Sequence, residues 1–249
     1  MNIRKHLPNA ITLGNLLAGI MGLHFVLAQR DLYAALWCII LAAMLDVFDG
    51  SLARLLKVNS PIGKDLDSLA DVVSFGVLPS FIMFHILELT LGALPPTGLG
   101  IGRLLPPLMG AERFVPFTLA LCAALRLARF NNDPEQRDFF KGIPVPAMGL
   151  AVVGFAFQAA TATEPLGSSW HTMPATILVG SLLFSTLMVS TLPLLSFKLG
   201  FKHTWPYWCA MLLPLVALPW LQGLIFPAII LFYVVVSQVY FAFNGKVSS

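Results

Sequence analysis

Runs of apolar residues separated by short polar breaks fill the chain from end to end. Eight of them approach the roughly 20 residues that a helix needs to cross a bilayer. They cover about 9–29, 32–58, 64–91, 112–130, 145–163, 171–192, 205–221 and 224–243. The pattern predicts an all-α, polytopic membrane protein with about eight transmembrane helices. Little more than Gln222-Gly223 separates the last two, which predicts a tight hairpin there. Between the third and fourth, residues 92–111 are rich in Pro and Gly and read as a loop or re-entrant segment. Their apolar character puts them at the membrane surface. The many Gly, Ala and Ser residues within the spans suit close helix packing in lipid.

Composition points the same way. The chain is 57% hydrophobic and only 11% charged, whereas a soluble domain carries about 25% charged residues. A net charge of +3 does not point to nucleic acid as a partner. Cys38, Cys122 and Cys209 lie in apolar stretches without ligand spacing and read as packing residues. The first apolar segment lacks a small-residue cleavage site and is followed by further spans, so it reads as a helix and not as a signal peptide. With eight spans and both termini inside, Arg30, Arg103 and Arg113 alone among the 15 Lys and Arg residues fall outside. All the others gather on the cytoplasmic side, as the positive-inside rule requires.

Charge within the second and third spans changes the picture. Asp46 and Asp49 are three apart and share one helix face; Asp67 and Asp71 are four apart and do likewise. Asp65 lies near the intervening turn and off that face. The turn itself falls at Asn59-Ser60-Pro61 and Gly63. At 1.5 Å per residue, the first pair lies roughly 21–26 Å along its inward-running helix, and the second roughly 6–12 Å back in. Both pairs therefore meet at similar depth, just under the cytoplasmic surface. A charge at the centre of a membrane helix costs roughly 2.5–3.5 kcal/mol on insertion scales, so four call for a compensating partner. Carboxylates without a nearby Cys or His cluster suit a hard divalent cation, Mg²⁺ or Mn²⁺, one ion or two. Such ions also take phosphate oxygens, so a pyrophosphate substrate fits. The bland alternative pairs the aspartates with Arg54, Lys57 and Lys64, and it does not explain two matched faces. A cation path would need polar residues continuing to the outer side, and the other spans offer almost none.

Asp46-x-x-Asp49-Gly50-x-x-Ala53-Arg54, then eight residues, then Gly63-x-x-x-Asp67-x-x-x-Asp71, resembles the full signature of the CDP-alcohol phosphatidyltransferases. Further segments resemble the serine-using branch of that family: LPNAITLGN (7–15), DVVSFGVLPS (71–80), ALRLARFN (124–131), FKGIPVPAMG (140–149) and STLPLLSFK (190–198). The resemblance implies a six-helix core, a homodimer and a polar cavity open to the cytoplasm. It implies transfer of a phosphatidyl group from CDP-diacylglycerol to a small alcohol, with L-serine as the acceptor of that branch. Asp46, Asp49 and Asp67 would be metal ligands, and Asp71 a ligand or the general base. Asn9, Thr12, Gly50, Ala53, Arg54 and Gly63 would bind CDP-diacylglycerol, with Gly50 and Ala53 leaving room for the nucleotide. Residues 1–249 read as a single membrane domain, with a catalytic core over about 1–200 and two extra helices over about 205–243.

A serine acceptor needs a group that holds its carboxylate, and Arg presents paired donors for one. Arg126 and Arg129, three apart near the cytoplasmic end of the fourth span, are the candidates, with Asn131 and Lys141 close by in sequence. Glycerol 3-phosphate and inositol phosphate are the rival acceptors, and both would want a larger basic pocket.

Overall fold

The computed structural model describes residues 7–56, 61–93, 110–132, 140–163, 166, 173–195 and 222–244. Most of the 92–111 segment, the seventh expected span at about 205–221, and Lys57 lie outside the described residues.

The chain is a polytopic all-α membrane protein. Helix α1 (Leu7–His24) ends in a π-helical turn, Phe25–Gln29. Arg30, at φ 56°, breaks the chain and lets α2 (Leu32–Leu56) run back antiparallel. Helix α3 (Pro61–Asp71) passes through a second π-helical turn, Val72–Val77, directly into α4 (Leu78–Ala93). A 3₁₀ segment (Ala111–Phe117) leads into α5 (Thr118–Asn132). Then follow α6 (Val145–Thr161), α7 (Pro174–Val189) and α8 (Ile225–Asn244). Five stretches are long and apolar enough to cross a membrane: Leu7–Gln29, Leu32–Leu56, Ile62–Gly92, Ala111–Asn132 and Ile225–Phe243. The apolar helices α6 and α7 are shorter, at 17 and 16 residues. Each expected span that falls among the described residues is thus matched by a helix.

The core is built from the inward faces of α2, α4, α5, α6 and α7. Phe75, Leu78, Ile82, Met83, Ile86, Leu119, Met148, Ile177 and Phe184 are fully buried within it. Small residues set the closest approaches. A Cβ on Gly19 would lie 2.5 Å from Ser74 Oγ, and one on Gly149 would lie 2.9 Å from Phe75 Cδ1. The π turn after Asp71 is therefore gripped by α1 and α6 at positions where only hydrogen fits. Buried hydroxyls do not break the apolar packing, because they donate back to their own helices. Ser80 donates to the Val77 carbonyl (2.7 Å), Thr90 to Leu87 (2.8 Å) and Ser181 to Ile177 (2.8 Å).

At the end of the bundle that carries the aspartates, two short strands add a feature that the helical pattern did not foretell. β1 (Phe140–Lys141) pairs antiparallel with β2 (Pro193–Leu194), Phe140 opposite Leu194 and Lys141 opposite Pro193. Gly142, at φ +71°, follows β1 and presses against the carbonyls that end α7; a Cβ there would sit 2.6 Å from Met188 O. Only glycine takes that backbone conformation without strain. Helix α8 holds the other side of the ladder. Its Tyr233 hydroxyl donates to Leu195 O (2.6 Å), its Gln238 amide to Pro193 O (2.9 Å), and its Ser237 hydroxyl accepts from Leu195 N (3.2 Å).

Candidate active site

The antiparallel run of α2 and the turn into α3 bring the two aspartate pairs to one place, as the helix spacing predicts. One carboxylate oxygen each from Asp46, Asp49 and Asp67 lies within 4.8 Å of the others. Asp49 is buried, and Asp46 and Asp67 are half-buried. Asp71, one turn beyond Asp67, is buried beside this triad and outside that grouping. Asp65 is exposed.

The triad fits a divalent cation on two counts. Its donors are all carboxylate oxygens, the set that Mg²⁺ and Mn²⁺ take. In addition, Asp67 Oδ1 is buried with no hydrogen-bond partner among the described residues, an oxygen left over for a ligand. No lysine or arginine among the described residues forms an ion pair with these carboxylates; the described ion pair is Arg113–Glu88, at the opposite end of the bundle.

Helix α1 supplies the hydrogen-bond donors to the carboxylates. Thr12 Oγ1 lies 2.6 Å from Asp49 Oδ2 and donates to it, while the Pro8 carbonyl at 3.1 Å is its other acceptor within reach. Asn15 Nδ2 donates to Asp71 Oδ1 at 3.3 Å. The Asn15 main-chain carbonyl accepts from Ser74 Oγ at 2.9 Å. Neither Asn15 nor Ser74 stands out in a motif. Asn15 does lie three residues after Thr12 in an otherwise apolar span, and that spacing on one face was a usable signal.

The remaining signature residues divide by role. A Cβ on Gly50 would meet nothing within 4 Å, so the space over this turn of α2 is open. Ala53 is half-buried one turn on. Arg54 folds back along its own helix, donating from Nε to Gly50 O (3.0 Å) and from Nη2 to Ser51 Oγ (3.4 Å). Gly63 is half-buried in the first turn of α3, and Asn9 is half-buried near the start of α1.

The expected acceptor residues are not equivalent. Arg126 is buried, its Nε has no hydrogen-bond partner among the described residues, and its guanidinium feels the negative charge of Asp71. Arg129 is exposed and reaches Val189 O at the end of α7 (3.4 Å). Asn131 forms a strut: its amide donates to Ser68 Oγ (2.8 Å), and its carbonyl accepts from Lys64 Nζ (3.0 Å). This ties the end of α5 to α3. Lys141 is half-buried in β1, next to the Gly142 turn.

Comparison with known proteins agrees with this arrangement. Residues 5–213 match the family model described as CDP-alcohol phosphatidyltransferase. The chain is 30% identical over 199 residues to a CDP-diacylglycerol–serine O-phosphatidyltransferase of Bacillus subtilis, an alignment covering 80% of this chain and 93% of that protein. A protein of the same name from Mycobacterium leprae is 31% identical over 219 residues, 85% of this chain and 65% of the relative. One from Helicobacter pylori is 35% identical over 148 residues, 59% and 55% of the two chains. A match that begins ahead of α1 and runs past β2, over every helix that carries one of these carboxylates, makes the chain a member of the CDP-alcohol phosphatidyltransferase family.

Proposed function

We propose that this protein transfers the phosphatidyl group of CDP-diacylglycerol to the hydroxyl of L-serine and releases CMP. The observation that carries the reading is the meeting of the Asp46–Asp49 and Asp67–Asp71 pairs, with the buried Arg126 turned toward the same charge. The names of the similar proteins support serine as the acceptor.

Asp46, Asp49 and Asp67 would hold one or two divalent ions, Mg²⁺ or Mn²⁺. When bound, these would clamp the pyrophosphate and offset charge on the attacked and departing phosphates. The open space over Gly50 admits the nucleotide close to α2, bordered by Ala53 and Arg54. Asn9 and Thr12 on α1 and Gly63 on α3 lie on the elements around it. Asp71 takes the proton of the acceptor hydroxyl, a poor nucleophile until that proton moves in the transition state. Attack on the phosphorus that carries diacylglycerol then displaces CMP in a single step. Arg126 holds the serine carboxylate with its planar fork. Arg129, Asn131 and Lys141 frame that pocket, with Asn131 also fixing the α3–α5 gap.

The charge pattern supports a cytoplasmic active site and termini in the bacterial inner membrane. Residues about 1–200 would form the catalytic core of one membrane domain, working as a homodimer. The test is an acceptor screen on purified protein with CDP-diacylglycerol and Mg²⁺ or Mn²⁺, offering serine, glycerol 3-phosphate, inositol 1-phosphate and glycerol in turn. CMP release with serine alone supports the proposal, and a preference for glycerol 3-phosphate overturns it.

A further inference from the structure

We infer that Thr12 and Asn15 of α1 are positioning residues that set the two acid-bearing helices against each other and divide the four aspartates into two jobs. Thr12 orients Asp49 within the triad, and Asn15 holds Asp71 apart from it. The inference rests on the proposed reading of those aspartates and extends it to α1, which carries none of them.

Thr12 and Asn15 stand three residues apart on one face of α1, and both are buried. Each donates to one acid, Thr12 to Asp49 from α2 and Asn15 to Asp71 from α3. One helix face therefore touches both halves of the constellation. Rotation of α1 about its axis is fixed one turn further on, where Gly19 lies against Ser74 with no space for a Cβ. Ser74 in turn donates to the Asn15 carbonyl. The same π turn that follows Asp71 is thus anchored to the residue that binds Asp71.

The bonds differ in consequence. A donor on Asp49 Oδ2 fixes the carboxylate plane and leaves its other oxygen for a cation, the way outer donors orient ligands around metals. A donor on Asp71 Oδ1 likewise leaves the other oxygen to accept a proton. The Asn15 amide has its Nδ2 toward the carboxylate, since the flipped amide would set oxygen against oxygen. That orientation leaves Asn15 Oδ1 buried with no partner among the described residues. An unsatisfied buried acceptor costs about 1–3 kcal/mol, and a leucine of the same shape would avoid that cost. Packing alone therefore does not account for asparagine at this place.

The test uses the full chain purified in detergent, with Mn²⁺ affinity read by electron paramagnetic resonance in the absence of substrate, beside kcat and KM from CMP release. Thr12→Val removes the hydroxyl and keeps the shape, and should weaken Mn²⁺ binding about 10-fold or more. Thr12→Ser should restore it. Asn15→Leu should leave Mn²⁺ binding near wild type and leave both KM values in place, while kcat falls about 100-fold. Should the leucine variant not fold, Asn15→Ser removes the reach without adding bulk. Wild-type Mn²⁺ binding by Thr12→Val, or an Asn15 variant that loses Mn²⁺ as Thr12→Val does or keeps its kcat, overturns the inference. Failure of the wild-type protein to bind Mn²⁺ or release CMP is a separate result, and it would bring down the underlying reading as well.

Discussion

Arg126 and Arg129 stand three residues apart on α5, yet one is buried within reach of the charge of Asp71 and the other lies exposed against the last carbonyl of α7. The first is placed to meet a substrate, and the second closes a helix end. Lysine keeps the charge of arginine and loses the fork. Arg126→Lys should raise the serine KM about tenfold or more, since a bond between charged groups is worth about 1.5–3 kcal/mol. The KM for CDP-diacylglycerol should hardly move. Arg129→Lys should behave nearly as wild type toward serine. Steady-state kinetics on both variants decides this, and an unchanged serine KM in Arg126→Lys removes that residue from the pocket.

Replacing Asp46, Asp49, Asp67 or Asp71 by Asn keeps the shape and deletes a charge. Turnover should fall by about 100-fold or more in each, while the protein still inserts and purifies. EDTA should silence the wild-type enzyme, and added Mg²⁺ or Mn²⁺ should revive it. Near-normal turnover in EDTA would contradict a metal-bearing triad.

Two glycines should respond in opposite ways. Gly50→Leu projects into space where a Cβ meets nothing within 4 Å, so stability should hold while the KM for CDP-diacylglycerol rises. Gly19→Leu drives a side chain into Ser74 and should cost about 1–3 kcal/mol of stability. Thermal unfolding in detergent, read beside the kinetics, separates the two. A melting temperature that drops for Gly50→Leu and holds for Gly19→Leu reverses the assignment.

Direct displacement should invert configuration at a chiral phosphorus. The proposed chemistry uses Asp71 as a base and no enzyme nucleophile, so no phosphatidyl-enzyme should accumulate when serine is withheld. Phosphorus NMR of the product from a stereodefined substrate gives the answer, and retention would require a covalent intermediate.

The helices and the acids could be read from the chain because their causes are local. Long apolar runs set the spans, and spacings of three and four put Asp46 with Asp49 and Asp67 with Asp71. The approach of α1 is a tertiary matter: Asn15 meets Asp71 across 56 residues, and nothing near either one announces the other. The β1–β2 ladder pairs two residues with two, too few to show alternation. Neither π turn leaves a periodic mark, because one widened turn is shorter than the window in which a period can be seen. Arg126 and Arg129 look equivalent in sequence, and only packing against α7 and α3 separates them.

The widened turn at Val72–Val77 governs how this span can change length. A π turn carries a residue more than an α turn, and each residue of a helix sweeps about 100° at 3.6 residues per turn. Deleting one residue there would let the segment relax into ordinary α-helix. Everything beyond it would then swing by about a quarter of a circle relative to Asp71. Ile82, Met83, Ile86 and Leu87, all buried in the bundle, would leave their places together. Substitutions can be absorbed one at a time around this turn, but a single-residue gap forces the chemistry and the membrane anchor to choose which of them keeps its orientation.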